Sequence, residues 1–163
     1  MSTVTRQIEI TVNLSNEPAL MGRLMATAGS CGAEVLAACS YYSYDGAVVM
    51  LVTDDAARTL RALEGAGFEC KRDSVLLVEI PDEPSIAALL SARLSAAGIR
   101  VLYSYSFRSE GGRGYAVFKT TDDHRAFYLL EVESLVHELA VAKSWRRALE
   151  SQLDERHALP EAA

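Results

Sequence analysis

Hydrophobic periodicity divides the chain into two halves of one design. Residues 7–14 form a β-rich run, QIEITVNL, and residues 74–80 form another, SVLLVEI. A polar turn with a proline follows each, SNEP in the first half and PDEP in the second. Helical spacing then takes over: Leu20, Leu24 and Ala28 recur every four residues, and Ile86, Leu89, Leu90 and Leu94 every three or four or closer. These patterns predict helices over residues 19–28 and 86–96. Alternating strands come next. In the second half Ile99, Val101, Tyr103, Tyr105 and Phe107 share one face, with Arg100, Leu102, Ser104 and Ser106 on the other. SYDG and SEGGRG turn the chain into a third strand, and a TDD triplet then starts a second helix.

The two halves superpose as a repeat. At an offset of 66, Asn16-Glu17-Pro18-Ala19-Leu20 falls on Asp82-Glu83-Pro84-Ser85-Ile86. Leu24 then meets Leu90, Gly32 meets Gly98, Val35 meets Val101, Leu36 meets Leu102 and Tyr41 meets Phe107. The register slips by two at the hairpin, after which residues 46–55 match residues 114–123. Matches that hold their order this far mark a tandem duplication.

Local chemistry agrees with the periodicity. Asn16 and Asp82 are N-cap candidates, because their side-chain oxygens can accept a free N–H of the first helical turn. Pro18 and Pro84 suit the first helical position, where a missing N–H costs nothing. Gly32 and Gly98 suit the residue after the helix end. In the first half a second helix over residues 55–66 leads to a fourth strand, GFECKR. That completes βαββαβ, a ferredoxin-like sandwich with two helices on one face of an antiparallel sheet.

The second half ends differently. After TTDDHRAFYLLEV there is no glycine and no obvious fourth strand. Helical composition continues to Pro160, with a stripe of Tyr128, Val132, Leu135, Leu139, Ala142, Arg146, Leu149 and Leu153 at alternating four and three spacing. The expected organisation is therefore α+β: one unit over residues 1–73, a second over 74–131, and a long C-terminal helical extension over 132–163. That helix either covers the sheet edge left by the missing strand or pairs with its counterpart in a homodimer.

Composition narrows the function. Half of the 163 residues are hydrophobic, enough for a buried core. The net charge is −6 and no basic cluster is present, which argues against a nucleic-acid partner. No window has the length or apolarity of a membrane span, and MSTVTRQIE lacks the regions of a signal peptide. A cytoplasmic, soluble protein is expected. Cys31, Cys39 and Cys70 are odd in number and not in CxxC pairs, so they read as small apolar residues of a reducing compartment. His124, His137 and His157 lie far apart, and no metal or cofactor site is expected.

Candidate chemistry is sparse. Asp54-Asp55 and Asp122-Asp123 look like carboxylate pairs, but both start helices, where capping and the helix dipole explain them. GGRG is a hairpin without a P-loop lysine. No nucleophile with a base is visible, so the chain is not expected to be an enzyme. Tyr41, Tyr42 and Tyr44 crowd one second strand, and Tyr103, Tyr105 and Phe107 the other. Without an interleaved basic run they read as core packing and contact between units rather than as base-stacking residues.

The stretch VEIPDEPSIAALLSARLSAAGIRVLYSYSF resembles the ACT-domain pattern of apolar strand, polar turn with proline, helix ending in a GIN-like segment, and alternating strand. GIRVLYSYSF is similar to the matching segment of small bacterial proteins built from two ACT domains. The resemblance covers about residues 6 to 130. It implies a non-catalytic regulatory module that binds an amino acid or related metabolite at an interface between ACT units. It places the ligand at the first turn and helix start: Asn16, Glu17, Pro18, Ala19 and Leu20 in the first unit, and Asp82, Glu83, Pro84, Ser85 and Ile86 in the second. A helix N-terminus offers a carboxylate unpaired N–H groups and a positive dipole end. The family's turn carries Gly after the Pro, so that backbone can approach the ligand; here Ala19 and Ser85 stand there. Glu17 and Glu83 add negative charge beside the same turn. Either the pocket has decayed or it takes a different ligand. Two readings from different classes follow. One is a ligand sensor, expected as a homodimer with a possible protein partner. The other is a dimeric scaffold with vestigial pockets and a docking C-terminal helix.

Overall fold

A computed structural model describes residues 4–80, 84–108, 114–130 and Lys143. The expected C-terminal extension lies, Lys143 apart, outside the described residues. The elements run β1 (Val4–Leu14), α1 (Pro18–Ser30), β2 (Val35–Ser43), β3 (Gly46–Thr53), α2 (Ala56–Gly65), β4 (Cys70–Ile80), α3 (Pro84–Ala96), β5 (Val101–Arg108), β6 (Gly114–Thr120) and α4 (Asp123–Leu129). The strands form one antiparallel sheet in the order β2-β3-β1-β4-β6-β5. Each half thus has its βαββα units in place, and the two halves share a sheet.

The shared region is the pairing of β1 with β4. Their register joins Val4 to Val78 and Val12 to Cys70. Ile8 pairs with Ser74, and these two are equivalents at the 66-residue offset. The local twofold of the repeat therefore passes through that pair. Residues 70–74 of β4 lie beside residues 8–12 of β1 and extend the first unit as its fourth strand. Residues 4–7 of β1 lie beside residues 75–78 of β4 and take the corresponding place in the second unit. Among the described residues, the start of the chain thus stands where a fourth strand of the second unit would.

Alternation decides what each face buries. Ile10, Val12 and Leu14 of β1 meet Leu24, Leu60 and Leu63 of the helices in one core. Leu76, Val78 and Ile80 of β4 meet Leu90, Leu94 and Ala126 in the other. The opposite face is also buried. The edge strands β2 and β5 curl toward one another until their Cα atoms come within 8 Å. Ala37, Val52, Val75, Leu77 and Val117 are enclosed between them, with Tyr105, Phe107 and Tyr115 packed alongside. Phe107 and Tyr115 stack with centroids 5.3 Å apart. Tyr41, Tyr42 and Tyr44 differ from expectation: they are 51%, 79% and 99% exposed, because the tip of the β2–β3 hairpin runs past the cores.

The helix ends follow local rules with one correction. Gly98 has φ of 74°, and Ile99 N–H donates to Leu94 O at 2.9 Å, the glycine-terminated helix end expected there. Asp55 and Asp122 cap α2 and α4 by accepting the N–H of Arg58 and Arg125, both at 2.9 Å. The N-cap of α1 is Glu17, not Asn16, and its side chain makes no cap hydrogen bond. The caps also correct the repeat register after the hairpin. Asp55 corresponds to Asp122, and Leu51, partner of Ile10, to Phe118, partner of Leu76, so the slip is one residue rather than two. A slip of two would put β6 side chains on the wrong face.

Gly46 is held by space as well as by conformation. Its φ is 143°, and a Cβ there would sit 1.9 Å from Leu14 O. Gly22, inside α1, has nothing within 4 Å of its Cβ position. Gly46→Ala should lower unfolding free energy by about 2 kcal/mol or more. Gly22→Ala should raise it by about 0.5–1 kcal/mol. Urea denaturation of the two variants checks both signs.

Candidate functional site

The β1–α1 connection builds a cleft from local and long-range contacts. β1 ends at Leu14, Ser15 to Glu17 make the turn, and α1 begins with Pro18 at its first position. Glu17 is extended, with φ −82° and ψ 118°, as an N-cap residue usually is, but its side chain makes no cap hydrogen bond to the first turn of α1. Strand register supplies the floor. Ala47 pairs with both Leu14 and Tyr42, which places Tyr42, Ala47 and Leu14 in one row. A cleft of about 130 Å³ is lined by that row together with Ser15, Asn16, Glu17 and Met21. A second hollow of about 300 Å³ shares Leu14 and Ala47 and adds Asn13, Ser43 and Asp45.

The residues expected at the site divide as follows. Asn16 and Glu17 line the cleft. Leu20 packs against the core of the first unit, and Ala19 is exposed. Pro18 begins the helix. Asp82 and Glu83 lie outside the described residues. Pro84, Ser85 and Ile86 open α3. The equivalent floor of the second unit reads Arg108, Gly114 and Ile80, so arginine occupies the register position of Tyr42. Sequence reasoning missed Tyr42, Met21 and Asp45; only the pairing of β2 with β3 brings the hairpin to the turn. Among the described residues the cleft carries one carboxylate, Glu17, the second hollow another, Asp45, and neither a cationic side chain.

A second polar constellation lies inside the curled sheet. Glu9 is 0% exposed, and its two oxygens accept Tyr103 Oη at 2.5 Å and Tyr105 Oη at 2.9 Å. Burial, together with the adjacent Glu9 charge and hydrogen bond, pushes both phenols far above the ordinary tyrosine range. Beside them Lys119 Nζ donates to Asp73 at 2.8 Å, to Ser74 O at 2.8 Å and to Asp123 at 3.0 Å. Burial opposes the lysine charge, but the two carboxylates outweigh it and hold the ammonium protonated above its usual range. Among the described residues no group of His, Cys, Asp and Glu could hold a metal ion, and the cysteines are free. No helix of the described residues is long and apolar enough to cross a membrane.

Two βαββα units on one sheet, with helices packed on one face of each, define a paired ferredoxin-like module. The chain belongs to the family of ACT domain pairs, whose profile matches residues 6–143. No curated protein matches it by sequence. A solved protein from Bacteroides thetaiotaomicron is similar at 19% identity, with TM-score 0.67 over 82% of this chain and 90% of that one. The ligand-free regulatory subunit of aspartate kinase from Thermus thermophilus is similar at 12% identity, with TM-score 0.57 over 78% and 94%. A structure of aspartokinase α and β subunits is similar at 15% identity, with TM-score 0.53 over 78% and 93%. These likenesses are of fold.

The phenols set the alkaline behaviour. A tyrosine pKa raised in the folded state gives stability that is present below the unfolded value of about 10 and is lost as pH rises beyond it. Unfolding free energy should fall above about pH 10, and less steeply in the Tyr103→Phe/Tyr105→Phe variant. In an absorbance titration those two phenols should ionise only on unfolding.

Proposed function

We propose that the chain is a non-catalytic regulatory sensor that binds an amino acid or closely related metabolite at the β1–α1 cleft. The observation that carries this reading is the cleft itself, which joins a helix start without a side-chain cap to the Glu17 carboxylate, with the Asp45 carboxylate in the adjoining hollow. A free amino acid is a zwitterion, and the two halves of the cleft answer its two charges. The N–H groups of α1 suit the carboxylate. Glu17 suits the ammonium, Tyr42 offers a ring face to the same cation, and Asp45 adds negative charge from the adjoining hollow. The acidic residues that depart from a carboxylate-only site thus fit a zwitterion. Membership of the ACT pair family, and likeness to a regulatory subunit of aspartate kinase, support a regulatory role.

Among the described residues the lining comes from the first unit alone. A ligand enclosed between units therefore calls for a second copy of the chain over this cleft, and a homodimer is the assembly we propose. The exposed Tyr41, Tyr42 and Tyr44 at the hairpin tip favour a second reading, a scaffold that meets a protein partner through that tip. The lost glycine after the proline, replaced by Ala19, favours it too.

Thermal unfolding against the twenty amino acids and a metabolite panel separates the readings. A ligand at one hundred times its dissociation constant should add about 2.7 kcal/mol of stability. Glu17→Gln should weaken that ligand about tenfold, by removing one charge-assisted contact. A flat panel for the wild type, and for Ala19→Gly, moves the assignment to the scaffold.

A further inference from the structure

The sheet is nearly symmetric about the Ile8–Ser74 pair, but its interior is not. At the 66-residue offset, Glu9 corresponds to Val75, Tyr103 to Ala37 and Tyr105 to Cys39. One side of the local twofold thus holds a carboxylate with two phenols, and the other holds three small or apolar side chains. The fold evidently closes without a polar trio, because its other half does so. A buried carboxylate is also expensive: removing it from water costs several kcal/mol unless hydrogen bonds replace the water. The trio therefore needs a reason beyond filling space.

Its placement supplies one. Glu9 belongs to β1, at the centre of the sheet, and the two tyrosines belong to β5, at its edge. β4 and β6 lie between them in the strand order, so these hydrogen bonds do not follow any ladder. They cross the interior and form only when the sheet is rolled and β5 lies near β2. β5 is an edge strand, laddered to β6 alone, and its Leu102 is 54% exposed. The trio is complete in itself. Each Glu9 oxygen has its donor, and among the described residues no buried side-chain N or O lacks a partner. Nothing there waits for a ligand.

We propose that Glu9, Tyr103 and Tyr105 form a latch that holds the β5 edge closed against β2 and so couples the two ACT units. When it releases, β5 lifts while the β1–β4 centre stays intact. The latch is specific because a carboxylate with two donors is satisfied in one geometry only. It also ties the strand that ends at the first unit's cleft to the strand that ends at the second unit's hairpin. The inference stands whether or not the cleft binds an amino acid.

Hydrogen exchange of the full chain, followed peptide by peptide, tests it. The variants are Glu9→Val, which copies the residue at the equivalent position, and Glu9→Val/Tyr103→Phe/Tyr105→Phe, which makes the interior wholly apolar. Residues 101–108 and 35–43 should exchange about tenfold faster or more in both, with residues 70–80 unchanged. Unchanged protection of 101–108, or a rise shared equally by all strands, overturns the latch. If Glu9→Val alone does not fold, the triple variant decides on the same two outcomes.

Discussion

The antiparallel pairing of β1 with β4 is the constraint from which the other features follow. Each strand is divided between two tasks, with one end completing its own unit and the other completing its neighbour. The helix-facing residues of both strands feed both cores, so the register is fixed from two sides at once. A one-residue shift would turn Ile10, Val12, Leu76 and Val78 away from the helices together. It would also move Glu9 off the interior face, where its phenol partners lie.

The same pairing places the cleft. Because β1 is central, its end at Leu14 lies beside the start of β3, and β3 in turn brings the β2 hairpin alongside. The chain must cross itself closely there, and glycine opens each third strand for that reason. In the second unit a Cβ on Gly114 would lie 2.9 Å from Ile80 Cγ1, at the register position that Ala47 holds beside Leu14 in the first. The floor of the cleft is therefore backbone and short side chain, and its character comes from what projects over the rim. In the first unit that is Tyr42; the same register position in the second unit is occupied by Arg108.

Much of this was legible in the sequence. The repeat, the proline turns, the glycine at the end of α3 and the aspartate starts of α2 and α4 are local signals, and each has its place in the fold. Asn16 failed as a cap because the proline after Glu17 sets where the helix begins, and Asn16 lies one residue too early. The hairpin tyrosines and Glu9 failed for a different reason. In QIEITVNL the glutamate occupies the polar phase of an amphipathic strand, and period alone assigns it to solvent. Only the curl of the whole sheet, which no local pattern encodes, makes that phase an interior. One signal did exist: Tyr103, Tyr105 and Phe107 share the face opposite the helices, and three aromatics in a row are a poor surface for water.

The position of the local twofold carries a consequence for ancestry. A single repeat has a first strand whose opening residues find no partner within that repeat. Two such repeats side by side satisfy each other through those strands, with the equivalent positions of Ile8 and Ser74 meeting on the axis. This is the geometry of an isologous dimer, in which one patch meets its own copy. The present chain has the form of such a dimer joined end to end, with β4 serving as both the seam and the linker. Joining freed the two copies from having to be identical, and a glutamate facing two tyrosines, with no counterpart across the axis, is what that freedom permits.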